Sequence, residues 1–182
     1  MNNILILSIS ILILIILFLT IILIIGKNKI KEIIVPLDTS KQQINELLKQ
    51  KYKVYKEIIN FMKENLSIKE TAFKEFLDFK TTECTQSDLI NILDKTTHEI
   101  NDYVYNYDNI LKDNNFLELK RKLYKIQVNL EATIDYYNNK IILYNALKSS
   151  GPTSFSTKFF EFDEYNNVSN EKKEISRLIN LN

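Results

Sequence analysis

The chain has 182 residues, with 24 Lys and Arg against 23 Asp and Glu, so a net charge of +1 gives no global field that favours nucleic acid or an acidic substrate. Every charge lies after Gly26, which leaves a soluble part large enough for one core and too small for two large domains. Two glycines and two prolines argue against a loop-rich or β-rich fold, and a single cysteine, Cys84, excludes an internal disulfide.

The first element is an uncharged run from Ile4 to Ile25, interrupted only by Ser8, Ser10 and Thr20. As a helix it spans about 33 Å, against a hydrocarbon core of about 30 Å. Only a helix closes its own backbone hydrogen bonds in lipid, so residues 1–26 are predicted to be a transmembrane anchor. A cleaved signal peptide would need a charged start, a core of roughly 7–15 residues and an Ala-x-Ala site. None of these is present, and no cysteine follows the run to carry a lipid. Lys27, Lys29 and Lys31 come directly after it. The positive-inside rule then places the N-terminus outside and the remainder in the cytoplasm of a single-pass membrane protein.

Residues 27–40 read as a juxtamembrane linker. Pro36 is expected to break the chain after Val35, and Ser40 with Gln43 forms a capping box. Residues 41–150 then read as helices. The first carries Ile44, Leu48, Tyr52, Tyr55, Ile59, Met62 and Leu66 at steps of three and four. A capping box at Ser67 and Glu70 opens a shorter helix with Ala72, Phe73, Phe76 and Phe79. Thr81–Ser87 reads as a loop. Thr85 and Asp88 begin a third helix with Leu89, Leu93, Thr96, Ile100, Tyr103, Tyr107 and Ile110. Asp113 to Asn115 form a turn, and Asn115 with Glu118 caps the last long helix. That helix has the clearest periodicity, from Phe116 through Leu123, Leu130, Tyr137 and Tyr144 to Leu147, and Ser149 to Pro152 stop it.

A stripe that long must be buried by partners of similar length. The prediction is an all-α fold: one transmembrane helix, then an elongated antiparallel four-helix bundle with three long helices and one shorter. Residues 41–64 carry a net +3 and residues 88–113 a net −4, which favours neighbouring placement. The stripes are rich in Tyr, Phe and Thr and broken by short turns. That suits an intramolecular bundle better than the seam of a parallel coiled coil.

Few residues suggest chemistry. Asp94, His98 and Asp102 have the i, i+4, i+8 spacing of metal ligands on one helix face, but they lie off the apolar stripe and lack a second histidine. Glu161, Asp163 and Glu164 read as a wet acidic segment. Lys120, Arg121, Lys122 and Lys125 read as a solvated helix face, too small for nucleic acid. Lys49, Lys51, Lys53 and Lys56 are candidates for contact with anionic headgroups. Residues 151–182 form an aromatic and acidic tail. Its Phe155, Phe159, Phe160 and Phe162 either fold over the end of the bundle or present a patch to a partner or the membrane. Residues 171–181 have the pattern of a short amphipathic helix.

Certain words in the chain match a known pattern. They are Asn115 to Leu119, Tyr136-Tyr137-Asn138, Ile141 with Tyr144-Asn145, Phe159-Phe160-Glu161, the approach from Tyr107 to Asp113, and Leu48 to Tyr52. In this order, behind an N-terminal anchor, they resemble the LemA family of membrane-anchored helical proteins. Lys56 and Glu57 stand where the family usually has proline and asparagine. Ile126, Gln127 and Asn129 stand where it has a Thr-Glu-x-Arg pattern. The resemblance implies a helical bundle on a single anchor with a short extracellular N-terminus, and no established activity. Some relatives are associated with membrane proteases or with shaping membranes.

The sequence therefore points to a non-enzymatic protein with no cofactor and no small-molecule substrate. It holds the bilayer through residues 4–25 and displays its bundle to a protein partner. A membrane-remodelling or protease-associated envelope factor, and a metal protein built on Asp94, His98 and Asp102, are the alternatives.

Overall fold

The computed structural model describes residues 2–66, 68–69 and 71–168. Among them every regular element is helical and no strand occurs. The elements are α1 (Asn2–Asn65), α2 (Lys74–Asp78), α3 (Gln86–Asn106), a 3₁₀ turn (Asp108–Lys112), α4 (Asn114–Ser149) and α5 (Gly151–Phe159).

Helix α1 begins with the apolar run. Its large side chains from Ile4 to Ile25 that face outward are 48–75% exposed. The three hydroxyls in the run are satisfied within the helix: Ser8 donates to Leu5 O, Ser10 to Ile6 O and Thr20 to Ile16 O. No hydroxyl of the run is therefore left needing water.

The break expected at Pro36 does not occur, because α1 runs through it. Proline removes one rung of the ladder and costs about 3 kcal/mol inside a helix. Burial on both sides offsets this. Ile30, Leu37 and Ser40 are buried, and each large apolar side chain contributes roughly 1.5–3 kcal/mol. Ser40 is no cap: its hydroxyl donates back to Pro36 O at 2.8 Å.

The described residues form two compact units, 2–40 with Tyr136–Val168, and Lys41–Asp135. In the first, Gly26, Ile30 and Leu37 of α1 are buried, as are Tyr137, Ile141 and Tyr144 of α4 and Thr153 and Ser156 of α5. In the second, the core comes from Ile44, Leu48, Tyr55, Ile59 and Met62 of α1, with Leu89, Leu93 and Ile100 of α3 and Phe116, Leu123 and Leu130 of α4. Rings meet across it: Phe61 and Phe116 lie 5.9 Å apart, and Tyr52 and Phe76 4.4 Å. Glu57 and Lys122 approach to 3.8 Å, and Glu75 pairs with Lys95.

Local signals explain most boundaries. Thr85 and Asp88 form the predicted reciprocal capping box at the start of α3. The third helix ends at Asn106 rather than Ile110, and the 3₁₀ turn completes its stripe by burying Ile110. The expected second helix shortens to α2. Ser67 and Glu70, its expected capping box, lie outside the described residues. Phe73 precedes α2 at φ 60°, a strained conformation for a bulky side chain. Burial of its ring, 5.4 Å from that of Tyr103, compensates.

The cap of α4 is shifted by two residues from the expected one. Asp113 Oδ1 accepts from the amides of Asn115 and Phe116 at 2.7 and 3.2 Å. Asp113→Ala should therefore cost about 1 kcal/mol of unfolding free energy. Asn115→Ala should stay within about 0.5 kcal/mol of the parent. Urea unfolding of both variants checks this, and the reverse order would return the cap to Asn115.

Candidate functional site

Two regions gather buried polar and aromatic side chains, one in each compact unit. In the first unit, Ser149 ends α4, Gly151 adopts φ +48°, and α5 follows. The sequence reads this stretch as the start of an aromatic and acidic tail. Thr153 Oγ1 donates to Leu147 O and Ser150 O, which fixes the corner. Ser156, fully buried, donates to Leu23 O of α1 at 3.1 Å. The close approach depends on Gly26. A Cβ there would lie 3.1 Å from Ser156 Cβ and 3.3 Å from Thr153 Cα.

The predicted aromatic group divides. Phe155 and Phe159 remain 57% and 70% exposed and share an apolar hollow of about 380 Å³ with Leu19, Ile22 and Leu23. Phe160 and Phe162 are half-buried, and Lys27 Nζ lies 4.2 Å from the centroid of the Phe160 ring.

Beyond α5 the chain is extended and strapped down. Asn138 makes a paired bond with Val168, Nδ2 to O at 2.8 Å and N to Oδ1 at 3.0 Å. Tyr144 Oη donates to Asp163 O at 2.7 Å, and Tyr165 Oη donates to Asp38 Oδ1 at 2.8 Å. The rings of Tyr144 and Tyr165 meet edge to face. Burial pushes the Tyr165 phenol well above its usual range, helped by its bond to Asp38. Tyr144 is raised by burial and then by Asp163, and Tyr137 by burial and then by Asp38. Glu161, Asp163 and Glu164 are exposed, as expected.

In the second unit, Lys51 is fully buried, its Nζ 5.6 Å from the centroid of the Tyr55 ring. The hydroxyls of Tyr55 and Thr97 lie 2.6 Å apart, and Thr97 donates to Leu93 O. Sequence periodicity treats Lys51 as a surface lysine, whereas Lys49, Lys53 and Lys56 do remain exposed. Its one signal is position: it falls between Leu48 and Tyr55 on the apolar stripe. Lys120 is also buried, which draws its ammonium below the usual lysine range, so the predicted basic face keeps only Arg121, Lys122 and Lys125. Tyr52 Oη donates to both Phe76 O and Phe79 O at 3.1 Å and so closes the end of α2.

Asp94, His98 and Asp102 do lie on α3, with Asp94 half-buried and the other two exposed. Among the described residues no group of three or more His, Cys, Asp or Glu side chains could hold a metal ion. Asp102 lines a hollow of about 620 Å³ with Glu99, Lys74 and Glu75. Cys84 is half-buried, with Sγ 3.5 Å from Thr81 O.

The sequence model of the LemA family matches residues 40–180, most of the chain. The chain belongs to the LemA family. No curated protein and no solved structure matches it. Several LemA words now have physical roles. Asn138 and Tyr144 strap down the segment after α5, Tyr52 closes α2, and Phe160 packs under Lys27. Where the family pattern departs at Gln127, this LemA protein buries the amide and lets Nε2 reach Glu131 at 2.9 Å.

A fold that raises a tyrosine's pKa favours the neutral phenol. That contribution is complete below the ordinary value of about 10 and is lost as the pH climbs beyond it. Ultraviolet titration should show Tyr52, Tyr137, Tyr144 and Tyr165 ionising later than in denaturant, with stability falling on the alkaline side. Asn138→Ala should remove about 1–2 kcal/mol and speed proteolysis between residues 160 and 168. Unchanged proteolysis would mean that the strap is held elsewhere.

Proposed function

We propose that this LemA protein is a non-enzymatic, single-pass membrane protein that displays a helical bundle to a protein partner. The observation that carries the anchor is the exposed apolar run of α1. Among the described residues one helix is long and apolar enough to cross a membrane, and most of its side chains from Ile4 to Ile25 face outward rather than into a core. A water-soluble protein does not leave so large a contiguous apolar surface bare. Lys27, Lys29 and Lys31 at one end support an outside N-terminus and a cytoplasmic bundle.

The displayed part is an antiparallel four-helix bundle made of the later part of α1, α2, α3 and α4. Pairs such as Glu57 with Lys122 and Phe61 with Phe116 support this, because numbers rise on one helix as they fall on the other. Glu75 with Lys95 and Phe73 with Tyr103 support the same sense for α2 and α3. The partner surface is the outer side of α4, where Tyr124 and Val128 lie one turn apart and are 41% and 45% exposed.

Protease added to intact cells should leave the bundle uncut, and protease added to inside-out membranes should remove it. Cleavage in intact cells would reverse the orientation. A photo-crosslinker at Tyr124 should capture a discrete membrane-associated protein, and Val128→Asp should weaken that product several-fold. Diffuse, unspecific products would argue against display through this face.

A further inference from the structure

We propose that α5 is a second lipid-contacting element, docked on the membrane end of α1, and that Phe155 and Phe159 sit among the acyl chains of the leaflet beside Lys27. The inference rests on the anchor reading above. The position follows from what the rings touch. Phe155 and Phe159 line one apolar hollow with Leu19, Ile22 and Leu23, all within the run that ends at Ile25. At 1.5 Å per residue these contacts lie about 3–9 Å inside the end of the run. Interfacial amphipathic helices bury their apolar face to a similar depth, about 5–10 Å.

The sides of α5 divide as this position requires. Thr153 and Ser156, small and buried, face α1 across Gly26. Phe155 and Phe159, four residues apart, point away from the core and extend the exposed surface of Leu19. Water would meet two large rings there, whereas lipid meets a surface continuous with the span. The cations lie where headgroup phosphates would be. Lys158 Nζ is 5.8 Å from the centroid of the Phe155 ring, Lys27 covers Phe160, and Lys148 and Lys158 rim a neighbouring hollow of about 560 Å³. Lysines of this kind lay their stems on apolar surface and send the ammonium to the interface. A protein groove as the occupant would not need the rings to be level with the end of the span.

The chain has no tryptophan, so one substitution gives a unique fluorophore. Phe159→Trp, Leu14→Trp and Tyr124→Trp would each be made in the full chain and reconstituted in phosphatidylglycerol–phosphatidylcholine vesicles, with and without acyl-brominated lipid. Trp at 159 is expected to lose most of its emission to bromines near the glycerol end of the chain and to resist iodide. Leu14→Trp should be quenched by bromines at the chain terminus, and Tyr124→Trp only by iodide. Adding Gly26→Leu to Phe159→Trp should lift α5, reduce bromine quenching and admit iodide, while Leu14→Trp with Gly26→Leu keeps its lipid quenching. Iodide quenching at 159 with Leu14→Trp still in lipid would overturn the lipid role of α5 and leave the anchor intact. Protection from both quenchers would overturn it in favour of a protein contact. No change on adding Gly26→Leu would overturn the docking. A Leu14→Trp insensitive to lipid would overturn the anchor and this inference with it.

Discussion

Backbone amides and carbonyls with no water or neighbouring chain beside them must bond within their own helix, and that requirement shapes the exposed apolar run that opens α1. The sequence meets this requirement with Ile, Leu and Phe and with three hydroxyls that turn back onto their own helix. Once α1 exists, its later turns already carry a face that needs covering. Gly26, Ile30 and Leu37 are covered in one compact unit; Ile44, Leu48 and Tyr55 are covered in the other.

The continuity of α1 explains where the sequence misleads. Pro36 is a strong local signal for a helix end, and Ser40 with Gln43 is a plausible new start. The lost hydrogen bond and the ring clash cost about 3 kcal/mol, and local rules register only that cost. The compensating burial of Ile30, Leu37 and Ser40 involves partners far away in the chain, which a local reading does not see. The same blindness hides Lys51 and Lys120. Their spacing fits the stripe, but their charge argues for solvent, and only the assembled core shows that they are enclosed.

Other features were readable because their physics is local. The Thr85–Asp88 box needs only four residues, and it caps α3 as its sequence predicts. The long stripe of α4 needs only periodicity, and Phe116, Leu123, Leu130, Tyr137 and Tyr144 are all buried along it. Helix α5 was illegible for the opposite reason. Nine residues opening with Gly-Pro and carrying four Ser or Thr residues do not form a stable helix alone. It is held by its fit to Gly26 and by the corner at Thr153, both invisible in its own sequence. The family words at Asn138, Tyr144 and Tyr52 are of the same kind. They stand out as words before their partners are known, and each proves to be a side chain that ties down backbone elsewhere.

One uninterrupted helix, α1, carries the exposed apolar run through Pro36 to Asn65. Hydrogen–deuterium exchange on the full chain in lipid nanodiscs tests it most directly. Slow exchange from residue 4 through 25, continuing across Lys27–Ser40 with no fast segment around Pro36, is the predicted result. Rapid exchange throughout residues 27–40, as in a flexible tether, would contradict the account.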